Sequence, residues 1–415
     1  MTAIEAKKNK RITLNYIIVG MLCFIPIVDT LNGYLIKGSN ISGIGTIYRL
    51  AYFAIVLTYI LKKPRKFEFY LIFDFFVFLV FQFTVSGTYW RDSVELTVKL
   101  FMPLFMITLF KGMVQNKTIN IGNVIKLMDF LAIVFPLTVL IPFVFGIGYS
   151  TYRGGVGYKA FYYATNEISF SICVMIMYLW SRLIKKMSFK HMILYLNNAL
   201  CCIIIGSKVV TGALFLFSFL LIWNNFIFAG KKVSAKRLLL VFVIIGGIVG
   251  LYNTFSSQVD AIINRWITNQ SVAETNIAFL TSHRNVYLQK GFELFKSKGG
   301  LTYLFGWGLG GANNGMVNIE MDLFDILFSC GILGLLNVLY NYIALIKAIK
   351  FRSKEAILFL TISIVLSFVG GHVLFTGLGG MMFAIMMLYS ISLNDLKKEV
   401  FEMRKASKVP GFHMH

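Results

Sequence analysis

The chain has 415 residues, 57% of them hydrophobic and 16% aromatic, against 14% charged and only 6 prolines. Its mean hydropathy is +0.74. A soluble globular protein carries about a quarter charged residues, so this composition excludes that class and leaves a polytopic membrane protein. The formal charge of +22 would suit a nucleic-acid partner, but the basic residues sit mostly in short connections between apolar runs, where membrane topology accounts for them without nucleic acid.

The first eleven residues, MTAIEAKKNKR, precede a long apolar run. No small-residue cleavage site follows, and Asp29 and Asn32 fall where one would lie, so the expectation is a retained first helix rather than a signal peptide. Apolar stretches able to cross about 30 Å of hydrocarbon occur near 13–35, 44–61, 67–86, 94–110, 124–146, 165–184, 191–206, 209–228, 237–256, 321–347, 356–371 and 373–392. The fold expected is therefore all-α and polytopic, a single integral membrane domain over 1–415 with about twelve transmembrane helices. Only Gly206, Ser207 and Lys208 separate the seventh and eighth stretches.

Alternate connections differ in charge. One set holds Lys7 to Arg11, Lys62 to Lys66, Lys111 and Lys117, Arg182 to Lys190, Lys231 to Arg237, Lys347 to Lys354 and the tail from Lys397. Lys and Arg are retained on the cytoplasmic side, so both termini are expected in the cytoplasm of a multi-pass protein of the bacterial cytoplasmic membrane. The opposite set contains a smaller external loop, 147–165, rich in Gly and Tyr, and a large one, 257–320. Within the large loop, IINRWI and NVYLQKGFELF are amphipathic enough for short interfacial helices.

Ionisable groups at the external ends of apolar spans are costly unless they face water or a partner. They are the candidate site residues: Arg49, Arg153, Lys208, Arg265, His283, Arg284, Glu320 and Asp322. Arg153 precedes GGVG, where glycines let backbone N–H groups approach an anion. Guanidinium groups bind phosphate oxygens through paired donors; the alternative is that they snorkel to lipid head groups. Asp322 and Asp325 lie three apart at a helix start, a helix-capping pattern, with Asp322 also carried as a substrate-binding candidate. Glu320 precedes that helix and, with His283, is a candidate general base. His372, after two glycines, reads as a packing histidine. FGWGLGG is neither a P-loop nor a dinucleotide motif, because no Gly-Lys-Ser/Thr and no strand accompany it. It marks a tight turn or a close backbone approach. The five cysteines, Cys23, Cys173, Cys201, Cys202 and Cys330, lack ligand spacing and read as small buried hydrophobes. No cofactor and no metal site is expected.

Five short segments, in this order and topology, resemble the O-antigen ligase and O-antigen polymerase superfamily. They are 153–166 (RGGVGYKAFYYATN), 206–212 (GSKVVTG), 281–284 (TSHR), 306–310 (GWGLG) and 319–334 (IEMDLFDILFSCGILG). The resemblance covers roughly the second two-thirds of the chain. It implies a GT-C-like membrane glycosyltransferase acting on undecaprenyl-pyrophosphate-linked oligosaccharide. Ligases of the family place a histidine, with an asparagine close after it, ahead of G-I-x-G. Here Glu320 stands in that place, which resembles the polysaccharide polymerase branch. The activity so implied is inverting, metal-independent joining of repeat units into O-antigen or capsular polysaccharide, with release of undecaprenyl pyrophosphate. Arg153 and Arg284, with Lys208, would hold the pyrophosphate, and Glu320 or His283 would assist the acceptor hydroxyl. Partners so implied are the bilayer and the flippase and chain-length regulator of the same pathway. A polysaccharide ligase is the nearest alternative, and a lipid-linked oligosaccharide flippase the next. The flippase would place charge near the midplane and needs no large external loop.

Overall fold

Inside hydrocarbon a backbone must close its hydrogen bonds within each segment, and this chain does so with helices. The computed structural model describes residues 3–39, 43–62, 64–86, 90–152, 154–226, 246–247, 249–250, 253, 256–273, 275–309, 319–351, 353–371 and 376–406. In chain order the helices are α1 (Ala3–Ser39), α2 (Ile44–Leu61), α3 (Lys66–Ser86), α4 (Trp90–Gln115), α5 (Ile121–Val144), α6 (Thr165–Lys185), α7 (Phe189–Ile205) and α8 (Lys208–Phe226). There follow α9 (Ser256–Val272), α10 (Asn276–Leu280), α11 (Arg284–Lys298), α12 (Leu301–Phe305), α13 (Asp322–Ile349), α14 (Lys354–Val369) and α15 (Gly377–Ala406). Among the described residues, 8 helices are long and apolar enough to cross a membrane: α1 to α6, α13 and α15; α7 and α8 are shorter apolar helices. The chain is thus an all-helical polytopic membrane protein. The span expected at 237–256 lies mostly outside the described residues, and the large loop begins with α9 to α12 as short helices.

Burial sorts the spans. The most apolar windows of α15, α6 and α4 are 94%, 83% and 78% buried, against 33% for α1 and 28% for α2 and α3. The first three are therefore central, with α15 packed along both α4 and α6, and the others present apolar side chains outward. Phe69, Phe73, Phe76 and Val80 line such an outward face on α3, as a helix bathed in lipid requires.

The two ends of the bundle differ. At one, Lys117 pairs with Asp395 at 2.8 Å, Lys185 with Glu355 at 2.7 Å and Lys190 with Asp129 at 2.5 Å. All three lysines belong to the lysine-rich set of connections. At the other end, residues 147–152 and 154–164 pair as the two arms of a small hairpin, with Tyr149 N–H donating to Ala160 O at 2.8 Å and Thr151 N–H to Gly157 O at 3.1 Å. This hairpin caps α7: Tyr158 N–H donates to Ile204 O at 2.9 Å and Thr151 Oγ1 to Ile205 O at 2.9 Å. The terminal carbonyls of a helix otherwise lack partners.

The glycine-rich run has a definite role. Helix α13 breaks at Gly331, where φ is 69°, and Trp307 N–H and Gly308 N–H take up the freed carbonyls of Phe328 and Ser329 at 3.0 and 2.8 Å. A Cβ on Gly306 would lie 2.3 Å from Ser329 O, and one on Gly331 2.3 Å from Leu304 O. Two backbones thus meet where no side chain fits. Phe295, Ile319, Met321 and Phe328 form a small core of their own, with Trp307 stacked on Phe328 at 5.3 Å, and it clamps the loop helices onto the start of α13.

Candidate functional site

Glu320 sits in the link between that small core and α13, with φ at +59°, a conformation costly for a residue with a Cβ. Two devices hold it there. Asp325, one turn into α13, accepts from Ile319 N–H through Oδ1 and from Met321 N–H through Oδ2, both at 2.9 Å. Gly371 lies against the Glu320 carbonyl so closely that a Cβ would come within 1.7 Å of the oxygen. The capping role expected of Asp325 takes this form: its carboxylate satisfies N–H groups just ahead of the helix. Asp322 is buried and accepts from Ser367 Oγ at 2.7 Å, joining α13 to α14 instead of lining an open surface.

The Glu320 carboxylate is met by Arg284 Nη2 at 3.0 Å and by Asn166 Nδ2 at 3.4 Å. The Glu320 side chain is 50% exposed and that of Arg284 12%, so the carboxylate reaches water while the guanidinium is mostly enclosed. Arg284 is the first residue of α11, entered through Ser282 and His283 at positive φ. His283 stands at the N-cap position of that helix, and its N–H donates to Ala278 O of α10 at 2.8 Å.

Further cations adjoin Arg284. The Arg265 guanidinium, on α9, lies 3.2 Å from the centroid of the Tyr152 ring, a cation–π contact with the hairpin. Burial pushes the Tyr152 hydroxyl above its ordinary range, with Arg265 and then Arg284 pulling against it. Lys208 Nζ donates to Phe279 O and lies 3.8 Å from the Phe279 ring centroid, and its ammonium is repelled by both Arg265 and Arg284. Helix α9 docks here because Gly206, in the left-handed conformation, leaves room for Ile262; a Cβ would meet it at 2.5 Å. Three cations from three elements thus adjoin one another, Arg265 on the Tyr152 ring, Lys208 on the Phe279 ring and Arg284 on the Glu320 carboxylate, which is chemistry for a bound polyanion.

Of the residues expected from sequence, Glu320, Arg284, Arg265 and Lys208 come together. Arg153 and His372 lie outside the described residues. Arg49 is elsewhere: its guanidinium pairs with Asp29 of α1 and packs on Gly377, whose Cβ would fall 2.3 Å from Arg49 Nε, so it joins α1, α2 and α15. Sequence reasoning assigned no role to Asn166, Tyr152 or Gly371. Asn166, in the first turn of α6, ends the 153–166 segment that carried the resemblance, Tyr152 directly precedes that segment, and Gly371 adjoins a second glycine, Gly370. A narrow cleft below Glu320 is lined by Asn166, Ser169, Val209 and Gly371. A second basic pair lies on the same end: Lys159 donates to Tyr163 O at 2.7 Å, and burial together with the neighbouring Lys37 brings its ammonium down to about 8.

Fold and site together define a multi-pass α-helical membrane protein with a cation-rich polar face at one end of its bundle. No family model, curated protein or solved structure matches the chain.

Proposed function

We propose that the chain is a GT-C-like polysaccharide polymerase, joining undecaprenyl-pyrophosphate-linked repeat units on the outer face of the bacterial cytoplasmic membrane. The observation that carries this reading is the Arg284–Glu320 pair at 3.0 Å, set in a backbone-strained link beside Arg265 and Lys208. The lysine-rich end is taken as cytoplasmic, which puts this site outside and both termini inside a bundle of about twelve spans. A donor enters from the bilayer with its pyrophosphate on Arg284, Arg265 and Lys208. The five N–H donors of a guanidinium let Arg284 hold a phosphate oxygen while it still orients Glu320. Glu320 takes the proton of the acceptor hydroxyl as that oxygen bonds to the anomeric carbon, with inversion. The bond to pyrophosphate breaks, and the cations carry the charge on the leaving group.

The test incubates purified protein in nanodiscs with an authenticated lipid-pyrophosphate-linked repeat unit and reads glycan length and released lipid by mass spectrometry. A ladder of lengthened lipid-linked glycans with free lipid pyrophosphate supports the reading. Transfer only to a different added acceptor assigns a ligase instead, and intact substrate refutes both. Arg284→Ala abolishes the ladder while the protein stays folded in the membrane; retained product removes Arg284 from the scheme.

A further inference from the structure

A cavity of about 400 Å³ opens at the lysine-rich end of the bundle, where the ends of α4 and α13 meet α15. It falls within the range of about 300–1,000 Å³ usual for ligand pockets. Its floor is apolar: Val114, Ile349 and Ile391 line it and are 4%, 8% and 5% exposed. Its rim is cationic, carrying Lys111 of α4, Lys350 just past the end of α13 and Lys398 of α15. One carboxylate lines it, that of Asp395, and Lys117 from the turn after α4 already holds that group at 2.8 Å.

Lysines at helix ends commonly serve as caps or as topology signals, and here the capping role is filled without them. The carbonyls that end α4 accept from main-chain N–H groups: Gly112 O from Asn116, Met113 O from Thr118 and Val114 O from Lys117, each at 3.0 Å. Those that end α13 accept from Asn394 Nδ2, Ile349 O at 3.5 Å and Lys350 O at 3.3 Å. Among the described residues, the Lys111 and Lys350 side chains form no ion pair and no hydrogen bond. Of the charges near Lys111, Glu68 accepts from Arg65 N–H at 2.7 Å, and the Arg65 guanidinium brings a further cation, on Gln115 Oε1 at 2.9 Å. A topology signal needs lysines on one side of the membrane; it does not require three of them around a cavity with a buried apolar floor.

Cations converging above an apolar floor match an anionic head group that carries acyl chains. Basic pockets between membrane helices hold phosphate-bearing head groups in this way. The approach is apolar as well: Leu336 and Ile343, seven apart on α13 and 57% and 48% exposed, form a lipid-facing stripe that leads toward Lys350, seven residues further on. A soluble phosphate would meet the lysines alone and leave that floor and stripe unused. We propose that Lys111, Lys350 and Lys398 bind the phosphate of an anionic phospholipid from the membrane leaflet at this end of the bundle.

The test uses the full chain, purified in detergent and stripped of lipid, and follows thermal unfolding against added dioleoyl phosphatidylglycerol or dioleoyl phosphatidylcholine. A ligand that binds only the folded state raises the melting temperature with its concentration. The expected result is a saturable rise with the anionic lipid, absent with the zwitterionic one. A lysine near an anionic head group is worth about fivefold in affinity, so Lys111→Gln with Lys350→Gln should move the midpoint up about thirtyfold. Lys186→Gln with Lys354→Gln, which removes two exposed cations of the same end from outside the cavity, should leave it unchanged. Should the first pair fail to fold, Lys350→Gln alone, at an exposed side chain, decides by a shift of about fivefold. Equal rises with both lipids overturn the proposal. So does an equal loss in the two double variants, which would mean that the whole basic surface attracts the lipid. An equal rise with glycerol phosphate in place of lipid overturns it too, and assigns the cavity to a soluble phosphate.

Discussion

Replacing Gly371 by alanine strikes the contact on which the position of Glu320 rests. The new Cβ would lie 1.7 Å from the Glu320 carbonyl oxygen, 2.3 Å from its carbon and 3.1 Å from Met321 N. All three obstacles are backbone, so no side chain can rotate out of the way. Gly371 also has φ at +59°, which costs a residue with a Cβ about 1–2 kcal/mol. Forcing a methyl into a filled site adds about 1–3 kcal/mol, so the total is about 2–5 kcal/mol. The link carrying Glu320 must shift, although Asp325 still holds the N–H groups on either side. Gly371→Ala should therefore melt several degrees below wild type and lose more of the proposed glycan-lengthening activity than stability alone explains. Gly20→Ala is the control: nothing lies within 4 Å of its Cβ in α1, and alanine in a helix gains about 0.5–1 kcal/mol over glycine. If Gly371→Ala matched wild type in both melting temperature and turnover, the close approach to Glu320 would not exist and the reasoning would fail.

Other outcomes follow from single contacts. The Asp29 and Arg49 side chains are 9% and 11% exposed, so Asp29→Ala, which strands a buried cation, costs about 3–5 kcal/mol. Asp29→Leu with Arg49→Met should recover most of that in thermal unfolding, and full activity of the double variant would show that Arg49 holds helices, not substrate. Asp325→Asn can accept from only one of the Ile319 and Met321 N–H groups, and losing a hydrogen bond to a charged group costs about 1.5–3 kcal/mol; an unchanged melting temperature would contradict the clamp. Lys159 is held at about 8 in the folded protein by burial and by Lys37, below its ordinary 10.5. The unfolded chain then binds the proton more tightly, so stability rises as pH climbs through this window. The melting temperature should gain between about pH 8 and about pH 10.5, and gain less in Lys159→Met.

How far the sequence reaches varies along the chain. A run such as 67–86, with 14 of its 20 residues Phe, Leu, Ile or Val, has one way to satisfy its backbone in hydrocarbon, so α3 at Lys66–Ser86 was legible from composition alone. The break between α7 and α8 was equally legible, because Gly206 supplies the left-handed turn that ends a helix. The site was legible only in part. Glu320 and Arg284 stood out as charges at the edges of apolar segments. Their pairing, across 36 positions in the chain, depends on how α11 is clamped to α13.

What the sequence by itself determined is the class, the eight long apolar helices among the described residues and the charge difference between the connections, because apolar length and backbone hydrogen bonding are local quantities. What only the tertiary structure decided is which charges meet. Arg49 and Arg284 look alike in sequence, each a lone arginine near the end of an apolar stretch. Packing gave the first to Asp29 inside the bundle and the second to Glu320 at a water-reaching surface. A charge in a membrane protein takes its role from the partner that cancels it, and such a partner is neighbour in space across helices that the chain order does not place side by side.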